Sequence, residues 1–202
     1  MSAVALAKAE RQKDRMTKTA TMLLVAAVLA VPFVAPVTVG AQQPNLDFTV
    51  SGTSTIRGWT CTAKGTLAVK PGGGPAVPGF PNGVQSATLT VPVKGFTCPE
   101  AEMTEHLMQA MKPEQFPEIV YKVEKYEIAG TQAQATGTMT IQGRSQPLMV
   151  PVGVKASGAG VTLEGNTRLD MTTYGVEPPV VMLGMLKVGP QIRIEFKGLV
   201  VP

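Results

Sequence analysis

Charge is scarce in this chain, and so are the side chains that catalysis draws on. Only 16% of the 202 residues are charged and 5% are aromatic, with one histidine, one tryptophan and two cysteines. The lone histidine, His106, forms no H-E-x-x-H pair for zinc and leaves no histidine-based triad to be assembled. Acid pairs exist, such as Glu102 with Glu105, but they sit where a helix N-terminus favours acids. Cys61 and Cys98 are not spaced C-x-x-C and have no basic neighbour that would activate a thiol, which argues against a redox pair. The glycine-rich stretch Lys70–Gly83 leads into neither Gly-Lys-Ser/Thr nor a helix, so it is no phosphate cradle. The expectation is a protein without catalytic residues, metal ligands or cofactor.

Between Thr19 and Leu46 charge is absent altogether. The apolar centre of that stretch follows Arg15 and Lys18, with Lys8, Arg11 and Lys13 further back, and it ends in the small residues Val39-Gly40-Ala41. A basic start, an apolar run and a small-residue site describe a secretory leader over residues 1–41, with Met16 as an alternative start. An uncleaved membrane anchor is the other reading, since the run is long enough to cross a bilayer. Pro32 and Pro36 break its second half, and turn-rich sequence follows. The reading adopted is a cleaved signal and a periplasmic or secreted product.

Residues 1–41 hold five of the eighteen basic residues and two of the fourteen acidic ones, leaving thirteen against twelve and a net charge of +1. The basic isoelectric point belongs to the leader, and nothing in the remainder points to nucleic acid. Residues 42–202 are one domain by size, long enough to bury a real core. Cys61 and Cys98 are either a bridge or two buried thiols. The even count in an exported chain favours the bridge.

What the sequence has in quantity is alternation. Asp47–Trp59 alternates, bends at Gly52 and ends on the only tryptophan. Strands are expected over Leu46–Val50, Thr53–Cys61 and Gly65–Val69, then, after an exposed Gly/Pro connection, over Val84–Val93. In that last strand Ala87, Leu89, Val91 and Val93 share a side, and Pro92 marks an end lacking a neighbour. The period then changes. Pro99–Met111 reads as the single helix, with Met103, Leu107 and Met111 at i, i+4, i+8 and Pro113 beyond them. That stripe is either core packing or the lining of a pocket mouth, where methionine suits varied apolar guests.

Strands resume from Ile119, with a bulge expected near Glu124. They continue over Thr136–Gln142, a turn at Gly143–Pro147, Leu148–Lys155, Val161–Met171 and, after a long connection Thr172–Gly189, Gln191–Val200. About eight strands joined by hairpins, with one helical insertion, make a mainly β fold: an up-and-down antiparallel barrel or a flattened sandwich.

Several pieces recur together in order: Asp47-Phe48 before Ser54-Thr55; the Met103-Thr-Glu-His-Leu helix leading to Phe116-Pro117-Glu118-Ile119; Gly137-Thr-Met-Thr-Ile-Gln-Gly143 before Pro147; and Tyr174-Gly175-Val176 with Leu186-Lys-Val-Gly189. Over Leu46–Val200 they resemble the YceI-like polyisoprenoid-binding family. The resemblance implies an antiparallel eight-stranded lipocalin-like barrel with an apolar interior that takes a polyisoprenoid, an isoprenoid quinone or a fatty-acid derivative. Family members often carry a histidine near the end of the second strand, where this chain has Gly58-Trp59.

Burial of an alkyl or prenyl chain needs only a dry tube, at about 0.8 kcal/mol per methylene. The wall is assigned to Trp59, Met103, Leu107, Phe116, Tyr121, Met139, Ile141, Leu169, Met171 and Met182, from apolar character and inward parity. Arg57, Arg144 and Arg168 are candidates for an anionic head group. The expected partners are a lipid or isoprenoid ligand, transient contact with a membrane surface, and a second copy through exposed strand edges. The competing reading is a non-catalytic envelope interaction or adhesion module whose β core is solid.

Overall fold

The computed structural model describes residues 45–158 and 160–201, so the leader lies outside the described residues. Eight long strands follow one another around a closed antiparallel barrel. They are β1 (Leu46–Ser54), β2 (Gly58–Pro71), β3 (Val84–Pro92), β4 (Glu118–Ala129), β5 (Gln132–Ile141), β6 (Arg144–Ser157), β7 (Gly160–Asp170) and, after the two-residue β8 (Val180–Val181), β9 (Leu186–Val200). Each long strand pairs with its neighbours in the circuit, and β1 closes it on β9, with Phe48 opposite Phe196 and Val50 opposite Ile194. The helix α1 (Ala101–Met111) sits between β3 and β4.

Period-2 patterning produces this shape. In β5, Ala133, Ala135, Met139 and Ile141 are buried and alternate with more exposed neighbours, so one face of every strand turns to the barrel axis. The bulge near Glu124 is present: β4 loses register against β5 between Val123 and Lys125. Gly137 lies opposite, where a Cβ would come within 2.0 Å of the Lys122 carbonyl oxygen. Pro92 also sits as expected. β3 pairs with β2 only as far as Thr90, while on its other side Pro92 still faces Glu118.

Four expectations need correction. The N-terminal stretch makes two strands rather than three, because a tight turn at Thr55–Arg57 folds it into a hairpin. The Ser54 hydroxyl oxygen accepts from the backbone N–H of Ile56 (3.3 Å) and of Arg57 (3.1 Å), a local serine turn that outcompetes continued strand. β6 begins at Arg144, not after Pro147, because Gln142 and Gly143 both adopt positive φ (48° and 72°) and complete the hairpin in two residues. Pro147 and Pro151 are tolerated there because β6 meets β7 only from Val152 onward. β9 begins at Leu186, so Leu186–Gly189 is strand rather than connection.

The fourth correction concerns the Gly/Pro loop, which is not simply exposed. Val77 and Phe80 exchange backbone hydrogen bonds (3.1 and 2.9 Å), and the turn drives Phe80 into the end of the barrel. Phe80 is buried with Ala133, Val154, Val161 and Val200. Gly79 permits the close approach: at φ 81°, a Cβ there would lie 2.1 Å from Val161 Cγ2. The Tyr126 hydroxyl pins the loop by donating to the Pro75 carbonyl (2.6 Å) and accepting from Val84 N–H (2.9 Å).

Candidate functional site

Strand direction gives the barrel two unlike ends. The loop carrying Phe80 closes the floor. At the other end lie the turn at residues 55–57, helix α1, the Gln142-Gly143 turn and the segment 171–185. Between them the axis is not solid. A lower cavity of about 170 Å³ is walled by Phe48, Leu67, Phe80, Tyr121, Ala133 and Ala135, among other apolar residues. An upper cavity of about 340 Å³ opens towards the mouth under α1. Met139 and Ile194 line both cavities, so they form the waist between the two spaces.

The lower space exists because several inward positions are small. Ala87, Ala133 and Ala135 stand where a leucine would reach the axis. Tyr121, like Tyr126 and Thr167, brings a hydroxyl to this otherwise apolar wall. Its hydroxyl donates to the carbonyls of Ala135 (2.9 Å) or Leu148 (3.1 Å). Burial, helped by the charge of Glu124, pushes the phenol up to about 12, so Tyr121 stays neutral. Among the described residues no charged residue is buried, and no buried side-chain nitrogen or oxygen lacks a partner.

The roof of the upper cavity is α1. None of its residues is fully buried, and Met103, Leu107, Ala110 and Met111 face the cavity. Thr97 does not cap the helix. It exchanges backbone hydrogen bonds with Thr62 of β2 (both 2.8 Å), which lays Cys98 against Cys61. The two are bridged, with Cα atoms 4.2 Å apart. The helix start is finished instead by Thr104, whose hydroxyl oxygen accepts from Cys98 N–H (3.0 Å). At the far end Lys112 takes the left-handed conformation and donates to the Met108 carbonyl (2.9 Å), while the Gln142 side chain donates to Ala110 O (2.6 Å).

Charged groups border the cavities only at the rim, where Arg57, Glu100, Glu102 and His106 stand beside Ser54. Arg57 and Glu100 form an ion pair there, both more than half exposed. Trp59 is half-buried; its ring lies over Gly52, where any Cβ would come within 2.5 Å of it, and its indole N–H donates to Thr53 O (3.3 Å).

Beside the mouth β6 and β7 part company, and a short 3-10 turn, Met171–Tyr174, contacts β6 in the gap. Asp170 organises it, accepting from the Thr172 backbone N–H (2.9 Å) and from the Gln191 side chain (2.9 Å). Those hydrogen bonds, the Thr172 hydroxyl first, hold the Asp170 carboxyl below its usual range. Tyr174 and Val176 are buried behind the turn. Arg144 packs its guanidinium over Gly175, where a Cβ would lie 2.6 Å from Nε.

Six of the wall residues expected from sequence, Trp59, Met103, Leu107, Met139, Ile141 and Met171, border the upper cavity, and Tyr121 borders the lower one. Phe116 does not reach either space; it lies outside, against the Gly143 turn. Leu169 points inward but is consumed by packing with Met139, Met171 and Tyr174. Met182 opens a 3-10 turn, and its side chain lies outside the described residues. Of the three arginines, Arg57 alone borders a cavity. Sequence reading missed the lower cavity wall, above all Phe80 and the inward alanines. Their signal was present in the alternation of β5, but a proline-rich loop gives no period from which to place Phe80.

A family model described as a YceI-like domain matches residues 38–199. This chain belongs to the YceI-like family. No curated protein matches the sequence significantly. Among solved structures, BcnA of Burkholderia cenocepacia superposes with a TM-score of 0.64 at 18% identity, covering 77% of this chain and 96% of that one. A polyisoprenoid-binding domain from Saccharophagus degradans gives 0.56 at 11% identity, over 78% and 94%. The Campylobacter jejuni YCEI protein gives 0.50 at 16% identity, over 69% and 86%. At these identities the likeness is one of fold. It agrees with the closed antiparallel barrel of eight strands and one helix expected of the YceI-like chain.

Proposed function

We propose that this YceI-like protein is exported and holds one long apolar chain, a polyisoprenoid, an isoprenoid quinone or a fatty-acid derivative, along the axis of its barrel. The observation that carries the reading is the pair of mainly apolar cavities stacked along the axis on either side of Met139 and Ile194. A chain entering under α1 would pass the waist and end against Phe80, each methylene taken from water contributing about 0.8 kcal/mol. Charged groups border the cavities only at the rim, where a head group would remain in water beside Arg57, Glu100 and His106. The name of the Saccharophagus relative supports the same ligand class. The role is non-catalytic carriage, storage or protection, and the basic-then-apolar leader supports a periplasmic or secreted location.

The test is native mass spectrometry of the protein purified from its own envelope fraction, followed by solvent extraction. A stoichiometric adduct that extracts as a prenyl, quinone or acyl chain is expected. Met139→Trp would fill the waist, so the variant should lose long chains while keeping short ones. If no adduct is found and added isoprenoids and fatty acids are not taken up, the reading fails. The protein is then an interaction module with a filled core.

A further inference from the structure

Exposed large apolar side chains are few among the described residues, and four of them share one end of the barrel. Leu183 is fully exposed (106%), Met185 67%, Ile56 61% and Val180 59%. Ile56 crowns the β1–β2 turn, and the other three lie on the hairpin that carries β8 into β9. The two segments are strapped together. Thr55 N–H donates to Lys187 O (3.0 Å), the Thr55 hydroxyl donates to Met185 O (2.8 Å), and Lys187 N–H donates back to that hydroxyl (3.1 Å). Their neighbours Ser54, Arg57, Val181, Leu186 and Val188 border the upper cavity, so the patch is continuous with its mouth.

Leu183 makes the arrangement unusual. It holds left-handed backbone (φ 55°, ψ 32°), a conformation leucine rarely adopts, and the turn presents its side chain wholly to water. Neither packing nor backbone preference accounts for leucine at that position.

We infer that this rim is a membrane-docking surface: Leu183, Met185, Ile56 and Val180 enter the acyl boundary of an electrically neutral, zwitterionic bilayer and set the cavity mouth against the lipid. The inference rests on the lipid-cargo reading for its purpose, since cargo held in an apolar tube must cross from membrane to tube with little exposure to water. Two observations select a bilayer over the other occupants. The four side chains expose on the order of 500 Å², a patch of functional size but short of the roughly 800 Å² per partner that a stable protein interface buries. The rim also carries no basic surplus: Arg57, Arg144 and Lys187 are matched in number by Glu100, Glu102 and Glu177, and Arg57 is paired with Glu100. Docking is therefore driven by apolar insertion rather than by attraction to anionic lipid.

Flotation of the purified protein with vesicles of zwitterionic phosphatidylcholine tests this. The protein should float, and should do so equally in high salt. Leu183→Asp removes the apolar tip while suiting left-handed backbone, so the fold is kept, and the floated fraction should fall about fivefold or more. Met149→Asp, at an exposed methionine (56%) on β6 away from the rim, should change nothing. Equal flotation of Leu183→Asp and the parent would overturn the inference. So would flotation abolished by salt, or a dimer that Leu183→Asp dissociates while flotation is unchanged. Native mass spectrometry of the same variants with a prenyl alcohol added from solvent separates the two readings. Adducts retained by Leu183→Asp, with slower uptake from vesicles, support docking and cargo together. Leu183-dependent flotation with no adduct in any variant leaves docking standing and removes the cargo.

Discussion

The floor and the mouth of this barrel are both lined by apolar side chains, yet they are closed by opposite means. At the floor a loop rich in glycine and proline is pinned by backbone hydrogen bonds and by Tyr126, and it delivers one aromatic ring into a cluster of buried side chains. At the mouth a helix with no fully buried residue lies over open space, tied down by the Cys61–Cys98 bridge, by Gln142 and by an exposed ion pair. One closure is part of the core; the other is a cover attached at its ends. The proposed cargo-holding role would need that asymmetry, because an end that opens cannot draw its stability from dense packing.

The comparison breaks first at Phe80. Phe80→Ala should cost about 3–5 kcal/mol, the usual range for deleting a buried aromatic, and merge the lower cavity with solvent. Denaturant unfolding reads the loss. If the midpoint hardly moves, the floor is as loosely held as the mouth and the contrast is wrong. Removing the bridge with Cys61→Ser and Cys98→Ser should cost about 2–4 kcal/mol in global stability. Its particular signature should be hydrogen exchange, faster in 101–111 than in the loop 72–83. Uniform acceleration over both segments would mean that the bridge does not act on the cover.

Tyr121 sharpens the comparison between the two cavities. Its phenol is raised in the folded protein to about 12, above the ordinary value of 10.0. The unfolded chain therefore binds fewer protons than the folded one between those values. The contribution is complete below pH 10 and is lost as pH rises towards 12, an effect on the order of 2 kcal/mol. Urea unfolding followed upward from neutral pH should show this decline. It should flatten in Tyr121→Phe, which also loses the hydrogen bonds to Ala135 and Leu148 at a cost of about 1 kcal/mol at neutral pH. A variant with an unchanged alkaline profile would place the titrating group elsewhere.

Much of this architecture was legible in the residues. The alternation of Val84–Val93, the shift to helical spacing at Met103–Leu107–Met111 and the bulge near Glu124 each reflect a local period that needs no partner to be read. Where reading failed, the deciding interaction was not periodic. Ser54 ended a strand through its own hydroxyl, and two residues of positive φ replaced the longer turn expected before Pro147. Phe80 offered no period at all. Phe116 and Leu169 carried the right chemistry for a wall, yet one faces the Gly143 turn and the other is enclosed by its neighbours.

The sequence by itself determined the order of the strands, the place of the helix, two cysteines able to meet, and which side of most strands is apolar. Those are properties of spacing along one chain, and the family pattern is written in the same spacing. Only the tertiary structure decided which inward side chains pack and which border empty space. An inward methionine and an inward leucine follow the same alternation. Whether either meets a neighbour across the axis depends on residues brought opposite by barrel closure, such as Ala133 and Ala135 low on β5 and Met139 above them, which lines the same two cavities as Ile194. Closure also set the Phe80 loop at one end and the Leu183 hairpin at the other.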